Sequence, residues 1–159
     1  PLFKSVRSNG VEPERMWDRY GDTPEVLEYD VLLAPHHCSW RTLSYDSWSE
    51  KGEDAKLNDD ARNALGQARN GATIVSSSKE IVDDDVDPPN IRAKREYRAI
   101  LKDVDGWFGN TGDLKDEAVL EFTVESGGKV KRLPIAAALA GSVTSSVAAV
   151  AAPRAGIHK

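Results

Sequence analysis

The residues that usually hold a metal or staple a small fold are scarce in this chain. It has one cysteine, Cys38, and three histidines, His36, His37 and His158, in 159 residues. One thiol cannot form an intrachain disulfide framework or a Cys-rich zinc module. Three imidazoles cannot build an all-histidine centre when two of them are adjacent, so any metal must lean on carboxylates. No apolar leader core runs through residues 1–10 and no internal repeat is visible, so the expected location is the cytoplasm. The chain opens on Pro1 rather than Met, which raises the expectation that a segment precedes it.

An excess of positive charge is also missing. All 26 acidic residues lie at or before Glu125 beside sixteen of the 21 Lys and Arg, leaving that part at −10; the other five cations leave residues 126–159 at +5. An acidic body does not suit a protein that holds nucleic acid by phosphate neutralisation alone. It can still act on phosphates through a bound cation that reverses the local sign. What is there is an ordinary mixture, 40% hydrophobic and 30% charged, enough for one domain with its own core.

Along the chain, Glu12 to Tyr20 reads as a short helix with Pro13 in its first turn, broken by Gly21-Asp22-Thr23-Pro24. Val31-Leu32-Leu33-Ala34 is a continuous apolar run, as in a strand covered on both faces, and Pro35 ends it. Residues 40–54 have no clean period and read as a long surface loop. Leu57, Ala61, Ala64, Leu65 and Ala68 recur at helical spacing, with Asn70-Gly71 as the stop and Ala72–Ser76 as a second strand. Strand, loop, helix and strand in that order predict a βαβ unit with a parallel pair and a right-handed crossover.

Asp83–Pro89 is an acidic, proline-closed loop, after which Asn90 caps a helix with Ala93, Tyr97, Ile100, Leu101 and Val104 on its apolar face. Gly106–Gly112 reads as a turn-rich loop. Leu120, Phe122 and Val124 alternate with polar residues, and Gly127-Gly128 turns that strand back near Val130–Leu133 as a C-terminal β-hairpin. Residues 135–159 form an Ala/Ser-rich tail whose stretch Ile135–Ala152 has no charge. Its hydropathy is weak for a membrane span.

The segment richest in chemistry is Asp30 to Trp40, where a buried strand runs into Pro35-His36-His37-Cys38-Ser39. Ligands in α/β folds gather at the carboxyl ends of strands, where the scaffold is rigid and the loops are open. Neutral imidazole suits zinc or manganese once its second nitrogen is held by a partner. The plainer reading is one buried, hydrogen-bonded histidine and one exposed. Ser39 can donate to a substrate phosphate or simply cap its own turn. Cys38 as a nucleophile would need a histidine facing it, and adjacent side chains usually diverge.

Asp83, Asp84, Asp85 and Asp87 can help hold a hard cation or form a solvated loop; no EF-hand spacing is present. Lys79 can meet a phosphate, though an exposed lysine needs no function. Trp40, Tyr45 and Trp48 can stack on a base or pin the long loop to the body.

An apolar strand that opens on Asp30 and runs through Val31 and Leu32 into Pro35, His36, His37 and Ser39 resembles the late histidine motif of the metallo-β-lactamase superfamily. It is most similar to the ComEC-type competence hydrolase branch, and the resemblance extends over residues 10 to about 112. It implies an α/β fold, the C-terminal half of an αββα metallo-β-lactamase-type sandwich, with residues 1–134 as the C-terminal part of that domain. It also implies divalent ions, Zn or Mn, and attack of a metal-bound hydroxide on a phosphodiester or related ester bond. His37 would be the metal ligand; His36 and Ser39 would be catalytic, touching the substrate or the leaving oxygen.

Cys38 stands where this family usually has glycine, and the family's His-X-His-X-Asp-His motif is absent because no histidine precedes His36. The expected partners are therefore the missing N-terminal half of the same protein, nucleic acid or another phosphodiester as substrate, and a second copy covering the exposed face. The isolated chain is expected to be inactive, since a catalytic metal needs about three to four protein contacts. The alternative is a non-catalytic interaction domain of the same fold.

Overall fold

The computed structural model describes residues 3–5, 13–114, 119–126 and 128–134. The fold is mixed α/β. Four parallel strands, β1 (Phe3–Ser5), β2 (Tyr29–Leu33), β3 (Ala68–Ser76) and β4 (Trp107–Asn110), lie in the order β1-β2-β3-β4. Among the described residues four helices accompany them: α1 (Pro13–Tyr20), α2 (Trp48–Lys51), α3 (Asp59–Leu65) and α4 (Ile91–Lys102). A separate antiparallel hairpin, β5 (Phe122–Val124) with β6 (Val130–Arg132), follows.

The parallel pair expected from the βαβ pattern is β2–β3, aligned with Val31 opposite Thr73 and Leu33 opposite Val75. Tyr29, Val31 and Leu32 of β2 and residues 72–76 of β3 are buried, as in a sheet with both faces covered, whereas residues 68–71 of β3 run out toward solvent. One core joins Leu32, Ala72 and Ile74 of the sheet to Leu65 of α3 and to Ala93, Tyr97, Ile100 and Leu101 of α4. Val31 and Thr73 point the other way and border a hollow with Phe122, Val130 and Arg132 of the hairpin. Arg132 sits 4.0 Å over the ring of Trp107 there.

Three elements differ from the sequence expectation. Residues 40–54 are not a surface loop: Trp40, Thr42, Leu43 and Trp48 are buried, and short turns and α2 fold the segment into the core. Period fails because these residues are fixed one at a time, by ring contacts and turns, not along one helix face. The helix at 57–69 is shorter and stops at Leu65, with Gly66 donating to the Arg62 and Asn63 carbonyls; Asn70 and Gly71 lie inside β3. The stretch read as a turn-rich loop contains β4, in which Gly109 is a buried strand residue. The Ala/Ser-rich tail lies outside the described residues. Among the described residues no helix is long and apolar enough to cross a membrane.

Candidate functional site at the carboxyl end of β2

β2 leaves the sheet with a last ladder bond, Ala34 N donating to Val75 O at 2.8 Å. The chain then does something L-residues seldom do. His36, His37 and Cys38 have φ of 49°, 58° and 67°, three left-handed residues in succession. Such a coil projects its side chains outward from a tight knot, and both imidazoles are exposed while Cys38 turns inward with no accessible surface.

Cys38 anchors the knot. Its carbonyl accepts from Asn90 N at 2.9 Å, and burial pushes its thiol up to about 12, so it stays protonated. A protonated, inaccessible thiol is not a nucleophile. Asp87 fixes the exit, accepting from Trp40 N at 2.9 Å. The acidic loop is thus a clamp on the histidine turn at Asp87 and Asn90. Asp83 is taken by Arg95 at 2.9 Å, and Asp84 caps Val86 N at 3.1 Å.

The two histidines face different surroundings. His36 and Ser39 line one cleft of about 530 Å³, whose other wall carries Glu14 and Arg15 of α1. Arg41, Tyr45 and Asp87 complete its rim. Arg15 and Arg41 have no carboxylate partner among the described residues. Ser39 is buried, and its Oγ accepts from Arg41 N at 3.2 Å as a turn cap. That bond uses an oxygen lone pair and leaves the hydroxyl proton uncommitted.

His37 does not line this cleft. Its Nδ1 is hydrogen-bonded to the backbone carbonyl of Ser77, just past the end of β3. A carbonyl only accepts, so Nδ1 carries the proton and the neutral ring keeps its lone pair on Nε2.

Trp40 and Trp48 pack edge to face at 6.2 Å, and Arg92 lies 4.3 Å over Trp40. Both rings therefore pin the segment to the body, while Tyr45 is exposed at the cleft. Lys79 is exposed on the 77–80 loop. Among the described residues no group of three or more His, Cys, Asp and Glu could hold a metal ion. The sequence reading did not find Asp87 and Asn90 as clamps, or Asn110, whose side chain binds the 77–80 loop. An asparagine before a helix signals its cap, but nothing local signals a long-range hydrogen bond. No protein-family model, curated protein or solved structure matches the chain.

Proposed function

We propose that this chain is the C-terminal part of a metal-dependent hydrolase of metallo-β-lactamase type, acting on phosphodiester or related ester bonds. The observation that carries the reading is the Pro35–Ser39 turn. It stands at the carboxyl end of a parallel strand, with His37 held through Nδ1 by a backbone carbonyl and Nε2 left bare. That is the arrangement in which a histidine serves as a metal donor. Cys38 adopts φ 67° and ψ 41°, the conformation for which glycine is the usual residue, and this supports the resemblance at the one motif position that departs from it.

His37 fits a divalent ion, Zn or Mn, as one donor, and the described residues do not complete a set. The remaining donors would come from an N-terminal half that the reading places upstream. When bound, the ion supplies an activated water for attack on the ester. His36 and the Ser39 hydroxyl would then contact the substrate in the adjoining cleft, with Arg15 and Arg41 offering charge to a phosphate. This chain alone is expected to be inactive.

The test is metal analysis of the complete protein, wild type against His37→Ala. Loss of bound metal in the variant supports the reading, and unchanged metal content removes His37 from the site. The coding sequence directly upstream of Pro1 gives a second check: a His-X-His-X-Asp-His motif supports it, and a start codon there sinks it. The other reading, a non-catalytic interaction domain of the same fold, is favoured by Ser39 Oγ serving as a turn cap. It predicts no hydrolysis by the complete protein with either metal.

A further inference from the structure

Asn110, at the carboxyl end of β4, is 4% exposed and its side chain is fully committed. Its amide nitrogen lies 3.0 Å from the Lys79 carbonyl and 3.1 Å from Asp113 Oδ1. Both are acceptors, so that atom is the NH2 group and the opposite atom is the oxygen. Ser78 Oγ has two acceptors within reach, Asn110 Oδ1 at 2.8 Å and the Lys79 carbonyl at 3.0 Å, and the shorter contact takes its proton. Ser78 has one proton to give, so its contact with Ser76 Oγ at 2.8 Å is one in which Ser76 donates. The chain of bonds has a single direction: Ser76 to Ser78 to Asn110 to Lys79.

Two further contacts tighten the same loop. Thr111 Oγ1 donates to the Ser78 carbonyl at 3.3 Å. A Cβ at Gly112 would fall 2.3 Å from Glu80 N, so the loops after β3 and β4 touch backbone to backbone. Residues 76, 78 and 79 are therefore gripped from β4, and Ser77 between them presents its carbonyl to His37 Nδ1.

We propose that Asn110 is a positioning residue: by clamping the 77–79 loop it fixes the Ser77 carbonyl, which holds His37 with Nδ1 protonated and Nε2 free. The purpose of that tautomer rests on the metallohydrolase reading, while the positioning is a property of the chain alone. Asn110 touches neither imidazole nor substrate. Its effect passes through two backbone carbonyls and one hydroxyl, which sets what an experiment should read.

Long-range 1H–15N NMR of the metal-free chain, at a pH where the ring is neutral, reports which His37 nitrogen bears the proton. The His37 signals are assigned by their loss in His37→Gln. Wild type is expected to show Nδ1–H. Asn110→Asp keeps the volume, removes the donor to Lys79 O and sets a second carboxylate beside Asp113. It should convert His37 to an exchanging mixture of both tautomers. Asn58→Ala removes a cap of α3, Asn58 Oδ1 accepting from Ala61 N at 2.8 Å, and should leave His37 as in wild type.

If Asn110→Asp does not fold, Ser78→Ala removes the hydroxyl between Ser76 and Asn110 and decides the question with the same expected conversion. Nε2–H in wild type, an unchanged tautomer in the folded Asn110 or Ser78 variant, or an equal conversion in Asn58→Ala overturns the proposal. Failure of the hydrolase reading looks different, as unchanged metal content in His37→Ala with the tautomer intact. In the complete protein, loss of the clamp should weaken metal binding about 10- to 100-fold.

Discussion

Truncating Trp40 measures whether residues 40–57 belong to the core. Its side chain has no accessible surface, packs edge to face on Trp48 and lies under the Arg92 guanidinium. An aromatic side chain of this kind buries about 150–250 Å². At about 25 cal/mol per Å² that is about 4–6 kcal/mol, and core Phe or Trp to Ala changes cost about 3–5 kcal/mol. Trp40→Ala is therefore expected to cost about 4 kcal/mol, a large share of a domain stability of about 5–15 kcal/mol.

Trp40→Phe separates burial from polarity. The indole Nε1 has no hydrogen-bond partner among the described residues, and a buried unpaired donor costs about 1–3 kcal/mol. Removing it offsets the lost area, about 50 Å² or roughly 1 kcal/mol, so this variant should stay within about 1 kcal/mol of wild type. Urea unfolding followed by far-UV circular dichroism reads both. With a slope of about 2 kcal/mol per M, Trp40→Ala should lower the midpoint by about 2 M. A shift under about 0.5 M would return the segment to the surface and refute the reasoning.

Two other predictions follow from the histidine turn and the groups beneath it. Burial raises the Cys38 thiol from 9.0 to about 12 and holds the Tyr29 and Tyr97 phenols well above 10.0. The folded chain keeps protons that the unfolded chain releases, so stability is full below pH about 9 and falls as pH rises, by up to about 1.4 kcal/mol per unit for each group. Urea midpoints between about pH 9 and 10 should fall less steeply in Cys38→Ala; an equal slope would show that the thiol is not the group responsible. His36 is exposed, left-handed and without a hydrogen bond among the described residues, so His36→Gly should stabilise by about 0.5–1 kcal/mol after the added chain entropy of glycine. A thermal melt in which His36→Gly unfolds earlier than wild type would show that the turn is not strained there.

Where one physical signal dominated, the sequence was legible. β2 and the 72–76 half of β3 are apolar runs, and α4 has an apolar face at helical spacing with the Asn90 side chain accepting from Arg92 N and Ala93 N. The hairpin at residues 122–132 follows from strict alternation and a glycine turn. β4 was hidden because Gly106 and Gly109 look like loop residues; Gly109 is tolerated in a buried strand whose neighbour β3 pairs it with Val75. Asn70-Gly71 looked like a helix stop, yet Gly71 has φ 77° inside β3 and its N–H goes to Val104 O at 2.6 Å. The histidine turn was found by residue type at a strand end. The split between His36 in the cleft and His37 on Ser77 could not be found, because it depends on a run of three left-handed residues and on a carbonyl forty positions away, neither of which has a local sequence signature.

That handedness also says where the strain of the fold is kept. Left-handed conformations cost L-residues about 1–2 kcal/mol each, and they persist only where the surroundings over-determine them. Here the bonds that do so lie on both sides of the turn and come from different elements: Val75 O on β3 holds Ala34, Asn90 at the start of α4 holds Cys38, and Asp87 holds Trp40. Each is worth about 0.5–1.5 kcal/mol net, so together they offset part of that cost, and the burial of Cys38 in the core adds to them. Glycine at 36 or 37 would remove strain and with it an imidazole, whereas glycine at 38 would remove strain and empty a buried site. Relief is therefore cheapest at 36, since glycine at 37 also loses the bond to the Ser77 carbonyl. Asp105, exposed in the connection from α4 to β4, also keeps a φ of 50°, so left-handedness alone does not mark a function; what sets the histidine turn apart is that it holds two imidazoles at a strand end.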